Sequence, residues 1–189
     1  MTTQSAPERK YPWTTEVNGL RMSFRLMRPE DKEAMLSFAR SLPEEDLVFL
    51  SFDITKPEAV DQWARNIQSG RIKTLLVEVG GRLVGYGSLG HNELLWTRHL
   101  GEIQLLLGPE LRGRGVGTLL ASELFKLARA RGLQKIVARM ASEQRGAFRV
   151  LENLGFTAEA VLADYVIDRK GVTHDLIVMS YDVTGLTEE

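Results

Sequence analysis

Apolar and polar positions alternate along this chain with two periods, and the switches between them divide it into strands and helices. LRMSFRLM, over 20–27, alternates as a half-buried strand does. RPEDKEAMLSFARSL follows, with Pro29, Glu30 and Asp31 where the first turn of a helix favours proline and acids. Pro43 and Pro57 punctuate two further helical pieces, the second being PEAVDQWARNIQSG. RIKTLLVEV (71–79) and RLVGYGSLGH (82–91) are strands joined by a hairpin turn at Gly80-Gly81. HLGEIQLLL (99–107) is the next strand, and a glycine-rich turn leads from it into a helix running to about Arg131, where Gly132 stops it. LQKIVARM (133–140) is a strand. The segment after it carries Ala147, Val150, Leu151 and Leu154 at helical spacing and stops at Gly155. Two last strands, 157–167 and 172–182, meet at DRKG.

This order predicts the α/β class: one α+β mixed sheet of about seven strands with helices on both faces. Residues 1–16 are polar with two prolines and read as a flexible N-terminal arm, with Trp13 anchoring its end. The single domain then spans 17–184 and a short tail 185–189. A chain of 189 residues that is 43% hydrophobic and 26% charged is long and apolar enough for one sizeable core.

Net charge narrows the partners. At −1 it gives no electrostatic footprint for nucleic acid or an anionic membrane. With no cysteine there is no disulfide, no thiolate metal site and no cysteine nucleophile. No apolar run approaches the roughly 18 residues of a membrane span, and MTTQSAPERKYP lacks the apolar block of a signal peptide, so the expected location is cytoplasmic. Monomer and homodimer are both left open.

Candidate chemistry concentrates in GPELRGRGVGTLL, 108–120. Gly108 and Gly113 have the spacing of a nucleoside-triphosphate loop, but Arg114 and Gly115 stand where lysine and Ser/Thr belong. A dinucleotide fingerprint also fails, because Thr118 follows Gly117 and no acid ends the next strand. R-x-x-G-x-G fits, as Arg112, Gly113, Arg114, Gly115, Val116 and Gly117. Such a turn cradles an anion: free amides of the first helical turn converge, glycines admit a close approach, and the helix dipole assists. A plain strand-to-helix turn with solvated arginines is the alternative.

With EIQLLL before it, LENLGF after it and two late strands, the chain resembles the GNAT N-acetyltransferase superfamily over residues 20–182. LRMSFRLMRPEDKEAMLSFARSLPEED and GEIQLLLGPELRGRGVGTLL are most similar to its bacterial protein-lysine acetyltransferase branch. The resemblance implies an acyl-CoA-binding fold, acetyl-CoA as co-substrate, no metal, and an amine acceptor on a protein lysine or a small molecule. It puts the pyrophosphate on Arg112, Gly113, Arg114, Gly115, Val116, Gly117 and Thr118. It lays the pantetheine arm along Leu105, Leu106 and Leu107.

Glu102, ten residues before Arg112, is then the candidate general base. Partial burial at the mouth of an apolar strand would suit it to take a proton near neutrality; a strand-end glutamate in solvent or paired to Arg98 is the plainer reading. Gln104 shares its face and is a candidate for orienting substrate or water. In many relatives the following helix carries an asparagine on pantetheine and, seven residues on, a tyrosine acid. Gln144 and Leu151 occupy those positions here. Glutamine can still bond pantetheine. Leucine cannot protonate a thiolate, so the thiolate leaves unassisted or another group, such as Tyr165 or a water, serves, and a CoA-binding regulatory or interaction module stays as the competing reading.

Other candidates carry less. His91, His99 and His174 lack metal-ligand spacing and read as surface or strand-end residues. Ser88 in YGSLG lacks the glycine that a nucleophile elbow needs. Trp96, at the end of ELLW, lies where an acceptor site or a plain apolar cover would be, and PEED (43–46) could attract a cationic amine.

Overall fold

The computed structural model describes residues 10–91 and 96–183. Eight strands form one sheet: β1 (Trp13–Val17), β2 (Leu20–Leu26), β3 (Ile72–Val79), β4 (Arg82–His91), β5 (Leu100–Leu107), β6 (Lys135–Ala141), β7 (Thr157–Ile167) and β8 (Thr173–Asp182). Their order is β1-β2-β3-β4-β5-β6-β8-β7. Neighbours are antiparallel except β5 and β6, which run parallel.

Helices cover both faces, as the patterning implies. On one face α1 (Lys32–Ser41) and α3 (Pro57–Gln68) bury Met35, Phe38, Val60 and Trp63 against Leu76, Tyr86 and Leu106. On the other, α4 (Val116–Ala130) and α5 (Arg145–Asn153) bury Leu120, Leu124 and Leu151 against Leu75, Val77, Leu89 and Ile103. Neighbouring residues of β3 thus serve opposite cores, the mark of a central strand. The short α2 (Glu44–Leu47) lies between α1 and α3 in the chain. A Cβ on Gly87 of β4 would come within 3.0–3.1 Å of Leu120, Leu124 and Leu105, so glycine there lets α4 sit close on the sheet.

The sheet has eight strands, not seven. The missed one is β1, inside the stretch read as a flexible arm. Its five residues, WTTEV, are half-buried or exposed and carry little apolar pattern. The available signal was Asn18-Gly19, with φ of 51° and 76°, the dipeptide that closes the tightest hairpins. Trp13 packs on Phe24 with ring centroids 5.1 Å apart, and the Tyr11 hydroxyl donates to buried Glu123 of α4 at 3.0 Å. The rest of the expected arm (1–9), the tail (185–189) and most of ELLW lie outside the described residues. Among the described residues no helix is long and apolar enough to cross a membrane.

The sheet has an irregularity at its centre. The β5–β6 ladder runs only from Leu100↔Lys135 to Ile103↔Ala138. Beyond it β6 stays paired to β8 as far as Ala141, while β5 stays paired to β4 as far as Leu107. The two strands splay, and among the described residues the β5 edge from Gln104 onward has no partner strand.

Candidate active site

A cleft of about 840 Å³ opens where β5 and β6 part. One wall is Ile103 to Leu107 of β5; the other is Ala138, Arg139 and Met140 of β6 with the start of α5. Gly113, Gly115, Gly117 and Thr118 border it at one end, and Glu45, Asp46, Phe49 and Leu50 at the other side. An extended chain entering here meets the free amides and carbonyls of β5, which are costly to leave unpaired away from water.

The glycine-rich turn ends in a bare helix N-terminus. Gly115 is the N-cap of α4 with φ 77°, a left-handed conformation that disfavours side chains, and Gly113 has φ 69°. The first helical hydrogen bond is Leu119 N–H to Gly115 O at 3.1 Å. Among the described residues no backbone bond uses the amides of residues 113–118, and the first turn of α4 holds no acid. Partial positive charge therefore accumulates beside the cleft, the requirement for holding a phosphate.

Leu105, Leu106, Leu107, Arg112, Gly113, Gly115, Gly117, Thr118 and Gln144 all border the cleft, as expected of a cofactor site. Arg114 and Val116 do not. Arg114 borders a separate pocket of about 200 Å³ with Arg82 and Glu110, and the Val116 side chain is buried in the core below α4. Gln144 caps α5 and accepts the Ala141 amide on Oε1 at 3.0 Å. Leu151 borders the cleft at 3% exposure, a packed side chain where relatives would have a hydroxyl.

The expected acid–base residues divide. Gln104 faces the cleft. Glu102, two residues away on the same face of β5, stops short of it. Its carboxylate is 50% exposed and paired to Arg139 of β6 at 3.3 Å, so neither the expected burial nor the Arg98 pairing is present. Tyr165 is 63% exposed on β7 and does not border the cleft, because β7 is the outermost strand of the sheet.

Residues 37–156 match the Acetyltransferase (GNAT) family. The chain belongs to that family. An uncharacterized N-acetyltransferase of Methanocaldococcus jannaschii is 29% identical over 92 residues, covering 47% of this chain and 41% of that protein. The fold is similar to that of yncA from Salmonella typhimurium, solved with its cofactor acetyl-CoA: TM-score 0.76, 23% identity, covering 89% of this chain and 97% of that one. It is also similar to Mycobacterium smegmatis RimJ in complex with CoA-disulfide, at TM-score 0.73 and 21% identity over 95% and 91% of the two chains. The expected mixed-sheet GNAT fold and its enzyme class, an acyltransferase of GNAT type, are thereby borne out.

Around the GNAT cleft the structure also assembles residues that sequence reading passed over. Asp46 of α2 forms an ion pair with Arg112, a charge contact rather than a directed hydrogen bond. PEED therefore does more than face solvent. Arg139 and Arg145 also border the cleft, and among the described residues Arg145 has no carboxylate partner. His174, expected as a surface or strand-end residue, stands near the start of β8 between two carboxylates, with Nδ1 2.8 Å from Glu143 and Nε2 3.2 Å from Asp168. Phe49 meets its ring edge-on at 5.2 Å. The Glu143 carboxylate, then Asp168, holds the imidazole above its ordinary pKa. Glu143 is held low chiefly by His174, and Asp168 chiefly by the Val172 amide. Its partners lie 31 and 6 residues away, so no local spacing marks this histidine in the sequence.

Proposed function

We propose that the protein transfers the acetyl group of acetyl-CoA directly to a primary amine, on a protein lysine or a small molecule, with Glu102 as general base. The observation that carries this reading is the unpaired β5 edge leading to unused amides at the start of α4. An extended, amide-bearing pantetheine arm suits the first. A pyrophosphate suits the second, with Arg112 beside it. The local phrases shared with the protein-lysine acetyltransferase branch favour a lysine acceptor.

In the reaction the amine nitrogen forms a bond to the thioester carbon, the carbonyl electron pair moves to oxygen, and collapse breaks the carbon–sulfur bond. A backbone amide of β5 polarises the carbonyl. One ammonium proton passes to Glu102, directly or through water, once the exposed contact with Arg139 yields, and the second N–H proton of the adduct goes to solvent as the carbon–sulfur bond breaks; a half-exposed ion pair of this kind is worth at most about 1 kcal/mol. Among the described residues bordering the cleft there is no tyrosine, histidine, lysine or cysteine. The thiolate therefore leaves as the anion and takes its proton from solvent, which a thiol pKa of about 8.5 permits.

That missing acid, with Leu151 buried and Tyr165 on the outer strand, favours the second reading: a module that binds CoA for regulation or interaction with little turnover. Two measurements separate them. Calorimetry should give acetyl-CoA binding in the micromolar range, about −8 kcal/mol. A panel of peptides and small amines, followed by thiol release, should yield turnover with at least one. Binding without turnover favours the module; absence of binding overturns both.

A further inference from the structure

A polar row crosses the sheet beneath α3 and ends at the cleft. Trp63 of α3 donates its indole N–H to Thr74 Oγ1 on β3 at 3.0 Å, and Thr74 Oγ1 lies 2.9 Å from Ser88 Oγ on β4. Thr74 is 1% and Ser88 8% exposed. In register Thr74 stands opposite Ser88, and Ser88 opposite Gln104 of β5. The adjacent row on the same face, Leu76–Tyr86–Leu106, is packed core. Hydroxyls buried beside it destabilise the fold unless they are bonded, so their protons need a destination.

Counting those protons leaves the row two directions. An indole only donates. Thr74 Oγ1 receives that proton and still has its own, for which Ser88 Oγ is the one side-chain partner among the described residues. Either hydroxyl can be the donor of that bond, and Thr74 donating to Ser88 is the direction in which neither the Trp63 nor the Thr74 proton goes unused. In that direction the Ser88 proton is left over; Gln104 faces it across the ladder, at the ~4.5–5.5 Å Cβ separation of a cross-strand pair, though no hydrogen bond joins the two side chains in this structure. Gln104 makes no side-chain hydrogen bond of its own among the described residues and borders the cleft.

We propose that Trp63, Thr74 and Ser88 are positioning residues that orient the Gln104 amide, with Ser88 donating to Oε1, so that Nε2 is presented to the cleft and donates to the thioester carbonyl oxygen. The proposal rests on the acyl-CoA reading of the cleft. In the transfer step Gln104 binds the oxygen that takes up the carbonyl electron pair and releases it when the thiolate departs; it neither gains nor loses a proton. The opposite polarity would aim Oε1 at the cleft and make Gln104 a ligand for the amine instead.

The test compares affinity for acetyl-CoA with affinity for CoA, which lacks the carbonyl. Ser88→Ala and Thr74→Val should each reduce the preference for acetyl-CoA about 3–10-fold, the effect of one neutral hydrogen bond, with CoA affinity unchanged. Ser88→Thr should restore it. Gln104→Ala, on the cleft surface and so tolerant of change, should match Ser88→Ala, and the double variant should lose no more than either alone. With an active amine, kcat should fall while the KM of the amine holds. An unchanged preference and kcat in Ser88→Ala, with only a lower melting temperature, would overturn the proposal, as would a parent protein that does not distinguish acetyl-CoA from CoA. Failure of every amine to react would instead count against the transferase reading, since the binding preference is measured without turnover.

Discussion

The two ends of the cleft are built from different material. At the α4 end the chemistry is backbone: amides of one contiguous loop, with left-handed Gly113 and Gly115 setting their direction. At the end bordered by α2 it is side chain, drawn from separate regions: Asp46 on Arg112 and Phe49 on His174, with Glu102 on Arg139 just beyond the lining. A backbone site needs only local conformation and survives as a short motif. A side-chain site needs distant elements brought to the same place, and its members carry no mutual spacing. On the proposed reading the first would hold what a whole family shares, and the second would be free to vary with the acceptor.

The largest effect expected from breaking this contrast lies at the side-chain end. Glu102→Gln keeps shape and hydrogen bonding but cannot take a proton. Turnover should fall by ~10²–10⁴ and recover in part at high pH, where the amine is already neutral. Acetyl-CoA affinity should stay within a few fold. Unchanged turnover would reduce Glu102 to a strand-end carboxylate.

Next comes the backbone end. Gly117 lacks the left-handed conformation of its neighbours, and a Cβ there meets Leu107 and Val150 at 3.6–3.8 Å, ordinary contact. Gly117→Asp therefore adds a like charge at the phosphate without backbone strain, and acetyl-CoA affinity should drop about 10²-fold. An acid in the first turn favours the helix by about 0.3–1 kcal/mol, so the melting temperature should hold or rise. Undiminished binding in calorimetry would show that the phosphates sit elsewhere.

The smallest effect concerns His174. Its folded pKa is raised above the 6.5 of a free histidine, so its contribution to stability is complete below 6.5 and is lost as pH rises through the raised value. Glu143 and Asp168, both held low, contribute above their ordinary range and lose that contribution in acid. The cluster is therefore strongest between those limits. The melting temperature of the parent should decline above pH 6.5 more steeply than that of His174→Gln. Equal slopes would show that the imidazole proton does not stabilise the fold.

What the chain determines by itself is whatever repeats at short range. The 3.6-residue spacing of Ala147, Val150, Leu151 and Leu154 gave α5, alternation gave β2, and Gly132 and Gly155, with φ of 70° and 91°, ended their helices as glycines past a helix do. Arg112 to Gly117 located the loop because its shape is set by consecutive residues, with left-handed Gly113 and Gly115 among them. Strand β1 escaped because a half-buried edge strand of WTTEV has almost no apolar alternation, and its pairing with β2 depends on a hairpin. Tertiary structure alone decided that the β5–β6 ladder stops at Ile103, that Glu102 meets Arg139 instead of a buried pocket, that Tyr165 faces outward, and that Ser88 joins a polar row. Each of these is a distance between residues remote in sequence, and such distances arise only when the packing of α1, α3 and α4 fixes which strands lie side by side and where they part.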